Sequence, residues 1–157
     1  MSRATWPRLA TVGRVITVQR TVVTDHPVEA VYAYLRDFEN AVEWDAGTVA
    51  CRRTSGDGGV GSEYLNTSRF LGRETELTYT LKDLVPDERV VLVGRNATVT
   101  STDRIEIMPR PTGSEVVYTA TFEFKGAARL LIPFLRMPIR RLADHAEDSL
   151  TAALGRL

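Results

Sequence analysis

Alternation of apolar and polar positions dominates the second half of the chain. In the segment 116–124, apolar or aromatic residues stand at every second position, and the segment 77–82 repeats the pattern with Leu77, Tyr79 and Leu81 against threonines and a lysine. This period is typical of antiparallel strands with one buried and one solvent-facing side. We predict strands at 14–23, 47–54, 63–70, 74–84, 89–94, 99–107 and 116–124.

Helical spacing occurs at two places. Val28, Val31 and Leu35 recur at helical intervals after Pro27, a residue suited to the first helical position, and predict a helix over 27–36. The C-terminal region after Gly126 gathers apolar residues into one broad helical sector. Its members are Leu131, Phe134, Leu135, Leu142, Ala146, Ser149, Leu150 and Ala153.

Two prolines interrupt this C-terminal pattern. Pro133 and Pro138 each lack a backbone donor and clash with the preceding turn of a helix. We therefore predict a separate turn at 127–137 and a regular helix from 138 to 155.

The order of these elements predicts an α+β fold in which an antiparallel sheet with one apolar face is closed by a long helix. A chain of 157 residues fits one domain with a substantial core. We expect an N-terminal arm at 1–13 and a single ligand-binding domain at 14–157. The layout predicts a cavity between the sheet and the last helix.

Composition excludes several classes of function. The 20 basic and 20 acidic residues give a net charge of zero, which does not favour nucleic acid as a partner. No apolar run is long enough for stable membrane insertion, and the N-terminus lacks an apolar signal core, so we expect a cytoplasmic protein. One cysteine and two histidines favour neither a disulfide nor a metal site, and we expect no cofactor. The composition is compatible with a homodimer as well as with a monomer.

Five short motifs occur in a fixed order along the chain. They are Pro27-Val28-Glu29-x-Val31-Tyr32-x-Tyr34-Leu35, Asp37-Phe38-x-Asn40-x-x-x-Trp44, Gly59-Val60-Gly61-Ser62, Pro86-x-x-Arg89 and Gly113-Ser114-x-Val116-x-Tyr118, followed by a glycine before the last helix. Together they resemble the START-like (SRPBCC) superfamily, and within it the bacterial polyketide cyclase/dehydrase and lipid-transport group. The similarity covers about 15–154.

The resemblance implies a helix-grip fold: a curved antiparallel sheet of about seven strands wrapped around a long C-terminal helix, with one or two short helices after the first strand. It also implies that Trp44 packs near one end of a cavity. Relatives include lipid and sterol carriers, quinone-binding proteins, aromatic cyclases, hormone receptors and chaperone activators. The fold therefore leaves the function to be argued from the site.

Two polar residues are the main candidates for chemistry. Asp103 shares a strand face with Ile105, which directs its carboxylate either at a partner in the cavity or at water near the mouth of the strand. His145 lies near the edge of the helical apolar sector. It is either a polar group of the cavity, orienting a ligand or transferring protons, or a boundary residue with a local hydrogen bond.

Tyrosines and an asparagine on apolar strand faces suggest a mostly apolar pocket with a few polar anchors, although ordinary core packing would also explain them. The predicted ligand contacts are Trp44, Tyr64, Asn66, Leu77, Tyr79, Asp103, Ile105, Tyr118, Phe122, Phe134, Leu142 and His145.

Three functions follow as hypotheses. The first is a carrier or sequestering protein for a hydrophobic small molecule such as a lipid, isoprenoid, quinone or polyketide. The second is a cofactor-independent polyketide cyclase or dehydratase, with His145, Asp103 and Tyr118 as candidate catalytic residues. The third is an interaction module that regulates a partner protein.

Overall fold

The computed structural model describes residues 14–157, so the predicted arm at 1–13 lies outside the described residues. Seven strands form one antiparallel sheet, as predicted. The strands are β1 (Val15–Thr24), β2 (Thr48–Ser55), β3 (Glu63–Phe70), β4 (Arg73–Val85), β5 (Arg89–Arg95), β6 (Val99–Pro109) and β7 (Ser114–Phe124). The helices are α1 (Val28–Leu35), α2 (Ala41–Trp44) and α3 (Ile132–Leu154), with 3₁₀ turns at Phe38–Asn40 and Gly126–Leu131.

The strand order is β1-β7-β6-β5-β4-β3-β2, so the first strand pairs with the last and the others form a meander. The apolar run from Val90 to Val93 lies in β5, the middle strand. Together with α3 packed on the sheet and short helices after β1, this arrangement confirms the predicted helix-grip fold.

Tight turns set the register of the sheet. Leu71 and Gly72 both have positive φ, of 51° and 76°, and form the two-residue connection between β3 and β4. Such a turn matches the twist of the strands it joins. Gly113 also has a positive φ, and a Cβ there would collide with the carbonyl oxygen of Thr24, so this turn requires glycine.

The predicted break in the C-terminal helix is wrong. Helix α3 is continuous from Ile132 to Leu154, with Pro133 in its first turn and Pro138 inside it. In the first turn, the donor that Pro133 lacks would have no partner within the helix. Ile132 and Ile139 are both buried on either side of Pro138, and their packing holds the helix together across the missing hydrogen bond.

Among residues 14–157, the buried side chains form two clusters. The larger cluster includes Trp44, Leu92 and Ile105 and extends to Leu150 and the end of α3. The smaller cluster joins β1, β7 and the first half of α3. Its buried members are Ile16, Val18, Ala120, Ile132, Ile139 and Ala143. Side chains of both clusters line the cavity described next, which therefore lies where they meet.

Candidate functional site

A cavity of about 150 Å³ lies between the sheet and α3. Most of its wall is apolar, and exposed Thr75 of β4 stands at its open side. The apolar wall comprises Val18, Phe70, Leu77, Val99, Ala120, Phe122, Phe124, Ile139, Leu142, Ala143 and Ala146. The remaining lining residues are Asp45, Gly47, Ser68, Thr75, Tyr79, Ser101, Asp103 and Tyr118. Polar groups thus occupy a minor part of a mostly apolar chamber.

Asp103 is the central polar residue of the cavity. It is only 4% exposed, and its Oδ1 accepts a hydrogen bond of 3.1 Å from the Ser101 hydroxyl. Burial, and secondly the charge of Asp45, raise the pKa of the Asp103 carboxyl to about 7, although the hydroxyls of Ser101, Tyr79 and Tyr118 act to lower this pKa. Both protonation states are therefore populated near neutral pH.

Small residues on neighbouring strands make room for these polar groups. Asp103 is paired with Ala120 of β7, whose short side chain leaves space above the sheet. Tyr79 is paired with Gly94 of β5, where a Cβ would lie 2.6 Å from the tyrosine ring. The ring of Tyr79 therefore lies over a bare backbone, a position that only glycine permits.

The tyrosine hydroxyls are donors at neutral pH. Burial, and then the charge of Asp103, raise the pKa of both Tyr79 and Tyr118 well above its usual range. Each can therefore donate a hydrogen bond to Asp103 or to an oxygen atom in the cavity.

A second carboxylate belongs to the connection after α2. Asp45 accepts hydrogen bonds from the Gly47 backbone at 3.2 Å and the Thr48 hydroxyl at 2.7 Å. Burial raises the pKa of its carboxyl, an effect that these two hydrogen bonds oppose. The cavity thus holds two carboxyl groups, and no basic residue is among its described lining residues.

Trp44 packs behind Tyr118, one of the polar residues of the cavity. Its side chain is 1% exposed and meets the ring of Tyr118 edge-on, with 5.6 Å between ring centroids. Within residues 14–157 its Nε1 is the one fully buried side-chain polar atom that lacks a hydrogen-bond partner. Trp44 supports Tyr118 from outside the cavity lining.

Six of the predicted contact residues line the cavity together. They are Leu77, Tyr79, Asp103, Tyr118, Phe122 and Leu142. Three others are buried elsewhere. Tyr64 packs edge-on against Phe38 at 5.7 Å, Asn66 donates to the Thr48 hydroxyl at 2.9 Å, and Ile105 belongs to the larger core cluster.

Helix α3 turns two predicted residues away from the cavity. Phe134 is 77% exposed and His145 is exposed. Counted along the helix, Phe134 lies about 140° and His145 about 120° from the direction of buried Ile139. The apolar sector deduced from the sequence omitted Ile139 and Ala143, which mark its true centre, and so extended too far. His145 instead lines a shallow outer groove with Arg69, Phe70, Leu71, Pro138, Arg141 and Leu142.

Several lining residues were missed by the sequence analysis although a signal existed. Ser101 stands two positions before Asp103, and Ala120 shares the strand face of Tyr118, so period two would have found both. Asp45 gave no such signal, because it lies in a connection between elements.

Two absences concern the described part of the chain. Within residues 14–157 no group of three or more histidine, cysteine or acidic side chains is arranged to hold a metal ion. In the same range, no helix combines the length and apolar character needed to cross a bilayer.

A sheet gripping a long helix around an apolar chamber defines a helix-grip domain. Residues 15–155 match the family described as polyketide cyclase / dehydrase and lipid transport, and the chain belongs to this family. No curated protein sequence matches the chain.

Solved structures share the fold at low sequence identity. The Zhui aromatase/cyclase from Streptomyces sp. R1128 is 15% identical with a TM-score of 0.73, covering 89% of this chain and 93% of that one. A START superfamily protein from Mycobacterium smegmatis is 12% identical with a TM-score of 0.67, covering 90% and 97%. The di-domain ARO/CYC StfQ from the steffimycin biosynthetic pathway is 14% identical with a TM-score of 0.71. That match covers 92% of this chain but 50% of the di-domain protein.

Proposed function

We propose that the protein binds a hydrophobic small molecule between the sheet and α3, as a carrier or sequestering protein. The ligand classes that fit are lipids, isoprenoids, quinones and polyketide-like molecules. The observation that carries the proposal is a chamber with a mostly apolar wall and a small polar part formed by the carboxyls of Asp103 and Asp45 and by neighbouring hydroxyls. Ligand sites commonly combine such a wall with a few polar anchors.

The size of the cavity limits what it encloses. A volume of about 150 Å³ accommodates roughly one benzene-sized group. Each 100 Å² of apolar ligand surface removed from water contributes about 2.5 kcal/mol before entropic costs. A longer ligand would place one end in the chamber and the rest across the open side near Thr75.

The polar group would orient the enclosed end of the ligand. Asp103 accepts a hydrogen bond as a carboxylate and donates one when protonated, and its pKa of about 7 makes both forms available. The hydroxyls of Tyr79 and Tyr118 add donors beside it. A carbonyl or hydroxyl oxygen at the end of an apolar molecule matches these groups.

Ligand retention by a cavity-filling variant tests the proposal. Ala146 is buried in the lining, whereas Ala152 is exposed on the same helix. We expect native mass spectrometry and solvent extraction to find an apolar molecule on the purified wild type and on Ala152→Leu, and none on Ala146→Leu. Bare protein in all three, with no uptake of added quinone or fatty acid, would refute the carrier function.

A second candidate function is cyclisation or dehydration of a polyketide-like substrate. It is favoured by Asp103, because a buried carboxyl with a pKa of about 7 suits proton transfer near neutral pH. The carboxylate would remove a proton from a methylene between two carbonyl groups, while Tyr118 donates a hydrogen bond to the enolate oxygen. His145 lies in the outer groove and takes no part in this step.

Single-residue variants separate the two functions. If the protein is a cyclase, Asp103→Asn lowers kcat for a poly-β-ketone substrate by at least about a hundredfold, while His145→Gln leaves kcat unchanged. If the protein is a carrier, neither the wild type nor any variant turns over the poly-β-ketone. Substitutions in the cavity then change ligand retention alone.

A further inference from the structure

Exposed apolar side chains are concentrated at the start of α3. Leu130 is 78% exposed, Leu131 53%, Phe134 77% and Met137 56%. Leu130 and Leu131 are adjacent, Phe134 stands four and three residues after them, and Met137 three residues further on, so the four side chains form one stripe along the 3₁₀ turn and the first turns of α3. This stripe faces away from the core, where a contiguous apolar surface marks an interaction site.

The same segment is strongly basic. Residues 125–143 contain Lys125, Arg129, Arg136, Arg140 and Arg141 but no acidic residue, although the whole chain has a net charge of zero. Within the described part of the chain, none of these five side chains forms an ion pair. We call this combination of apolar stripe and basic side chains the α3 surface.

The α3 surface borders the cavity. Ile139 and Leu142 of the same helix line the chamber. The outer groove beside it shares Phe70 and Leu142 with the chamber. Leu71, at the tip of the β3–β4 hairpin, is 65% exposed on the other side of this groove. Apolar groups therefore stand on both sides of a groove that shares two lining side chains with the cavity.

We propose that the α3 surface docks the protein on an anionic lipid membrane. Leucines, a phenylalanine and a methionine would enter the boundary between headgroups and acyl chains, and the arginines would contact lipid phosphates. This is binding in the plane of the interface, without a membrane-spanning segment. The proposal goes beyond ligand binding, because it stands whether or not the cavity is filled.

Charge argues against the other occupants of this surface. A symmetric dimer through the α3 surface would place five basic residues opposite the same five of the second copy. Residues 1–13 contain Arg3 and Arg8 and no acid, so they supply no complementary charge either. An anionic bilayer offers both a negative surface and an apolar layer beneath it.

Vesicle flotation of the full chain tests the proposal. We expect binding to vesicles of phosphatidylcholine with 30% phosphatidylglycerol, weaker binding as salt is raised, and none to phosphatidylcholine alone. Phe134→Ser should lower the partition coefficient about tenfold, and Arg136→Gln about fivefold. The matched controls are Val60→Ser, which alters an apolar residue of similar exposure, and Arg52→Gln, which alters an exposed arginine of β2. Both should bind like the wild type.

Several results would overturn the proposal. They are failure of the wild type to float with anionic vesicles, an equal loss in the two controls, or a dimer in light scattering that Phe134→Ser dissociates. Because the altered side chains are exposed, circular dichroism should show that each variant is folded. Ala146→Leu distinguishes docking from uptake of a lipid into the cavity. It should abolish retained ligand yet leave vesicle binding unchanged, and loss of both would also count against docking.

Discussion

Replacement of Asp103 by asparagine should stabilise the protein at neutral and alkaline pH. The carboxyl is 4% exposed and its pKa is raised to about 7, mainly by burial. Folding therefore favours the protonated form over the carboxylate, and ionisation of Asp103 costs the native state free energy that the unfolded state does not lose. Asparagine keeps the shape of the protonated acid and has no charge to ionise.

The size of the effect follows from the two pKa values. The pKa of an ordinary aspartate is 3.8 and that of Asp103 in the folded protein about 7, and each unit of difference corresponds to about 1.4 kcal/mol. The stabilisation by native-state protonation is fully present below pH 3.8. It is lost as the pH rises through the folded pKa, and the total loss is about 4 kcal/mol. The advantage of Asp103→Asn should grow between those limits and then stay constant.

Urea unfolding followed by tryptophan fluorescence measures this difference. The free energy of unfolding of the wild type, of Asp103→Asn and of the control Asp148→Asn is needed at several pH values from 4 to 9. The control removes an exposed aspartate of α3. The difference between Asp103→Asn and the wild type cancels the titration of groups that do not interact with Asp103. It therefore reports the Asp103 carboxyl together with its coupling to Asp45.

The neighbouring carboxyl refines the test. Since the charge of Asp45 is the second cause of the raised pKa, Asp45→Asn should move the midpoint of the Asp103 transition to lower pH. A difference between Asp103→Asn and wild type that does not change with pH would refute the reasoning. It would show that water or a cation in the cavity solvates the carboxylate.

Two further predictions concern the supports of the site. Gly94→Ala should cost about 1–3 kcal/mol, because its Cβ would lie 2.6 Å from the Tyr79 ring. Urea unfolding should show this cost disappear in a Tyr79→Ala background, and a cost that persists there would contradict the contact. Trp44→Phe should cost less than about 2 kcal/mol, well below the 3–5 kcal/mol typical of a buried tryptophan replaced by alanine. The reason is that it removes a buried donor without a partner. Thermal unfolding checks this, and equal losses for Trp44→Phe and Trp44→Ala would show that Nε1 has a partner.

The sheet was predictable because its signals are local. Strands β3 and β4 carry alternating patterns with period two, and the turn residues Leu71-Gly72 separate them. A one-residue slip would turn an entire buried face to solvent, so the pattern specifies which residues face the helix. For the same reason, the placement of Leu77, Tyr79 and Tyr118 in one lining follows from their strands.

The helix and the polar end of the site were harder to predict because they depend on tertiary packing. Proline in a helix interior is unfavourable in isolation. Burial of Ile132 and Ile139 nevertheless outweighs the loss of the backbone hydrogen bond at Pro138, and the helix continues through it. Asp45 reaches the cavity through a connection whose path no periodicity describes. The outward direction of the Phe134 side chain could be predicted only from the knowledge that Ile139 faces the core.

The polar groups at one end of the cavity lower the stability of the fold, and this cost indicates which ligands the cavity recognises. Ionisation of Asp103 costs about 4 kcal/mol, which is a large share of the 5–15 kcal/mol that stabilises a typical domain. The same end contains the second carboxyl of Asp45, and Tyr118 there rests on a tryptophan whose indole N–H has no partner. An apolar residue at 103 would fill the chamber without these costs. A ligand that donates a hydrogen bond to the Asp103 carboxylate would recover part of the lost free energy only when bound, so its affinity should include this term while that of a plain hydrocarbon of equal size should not.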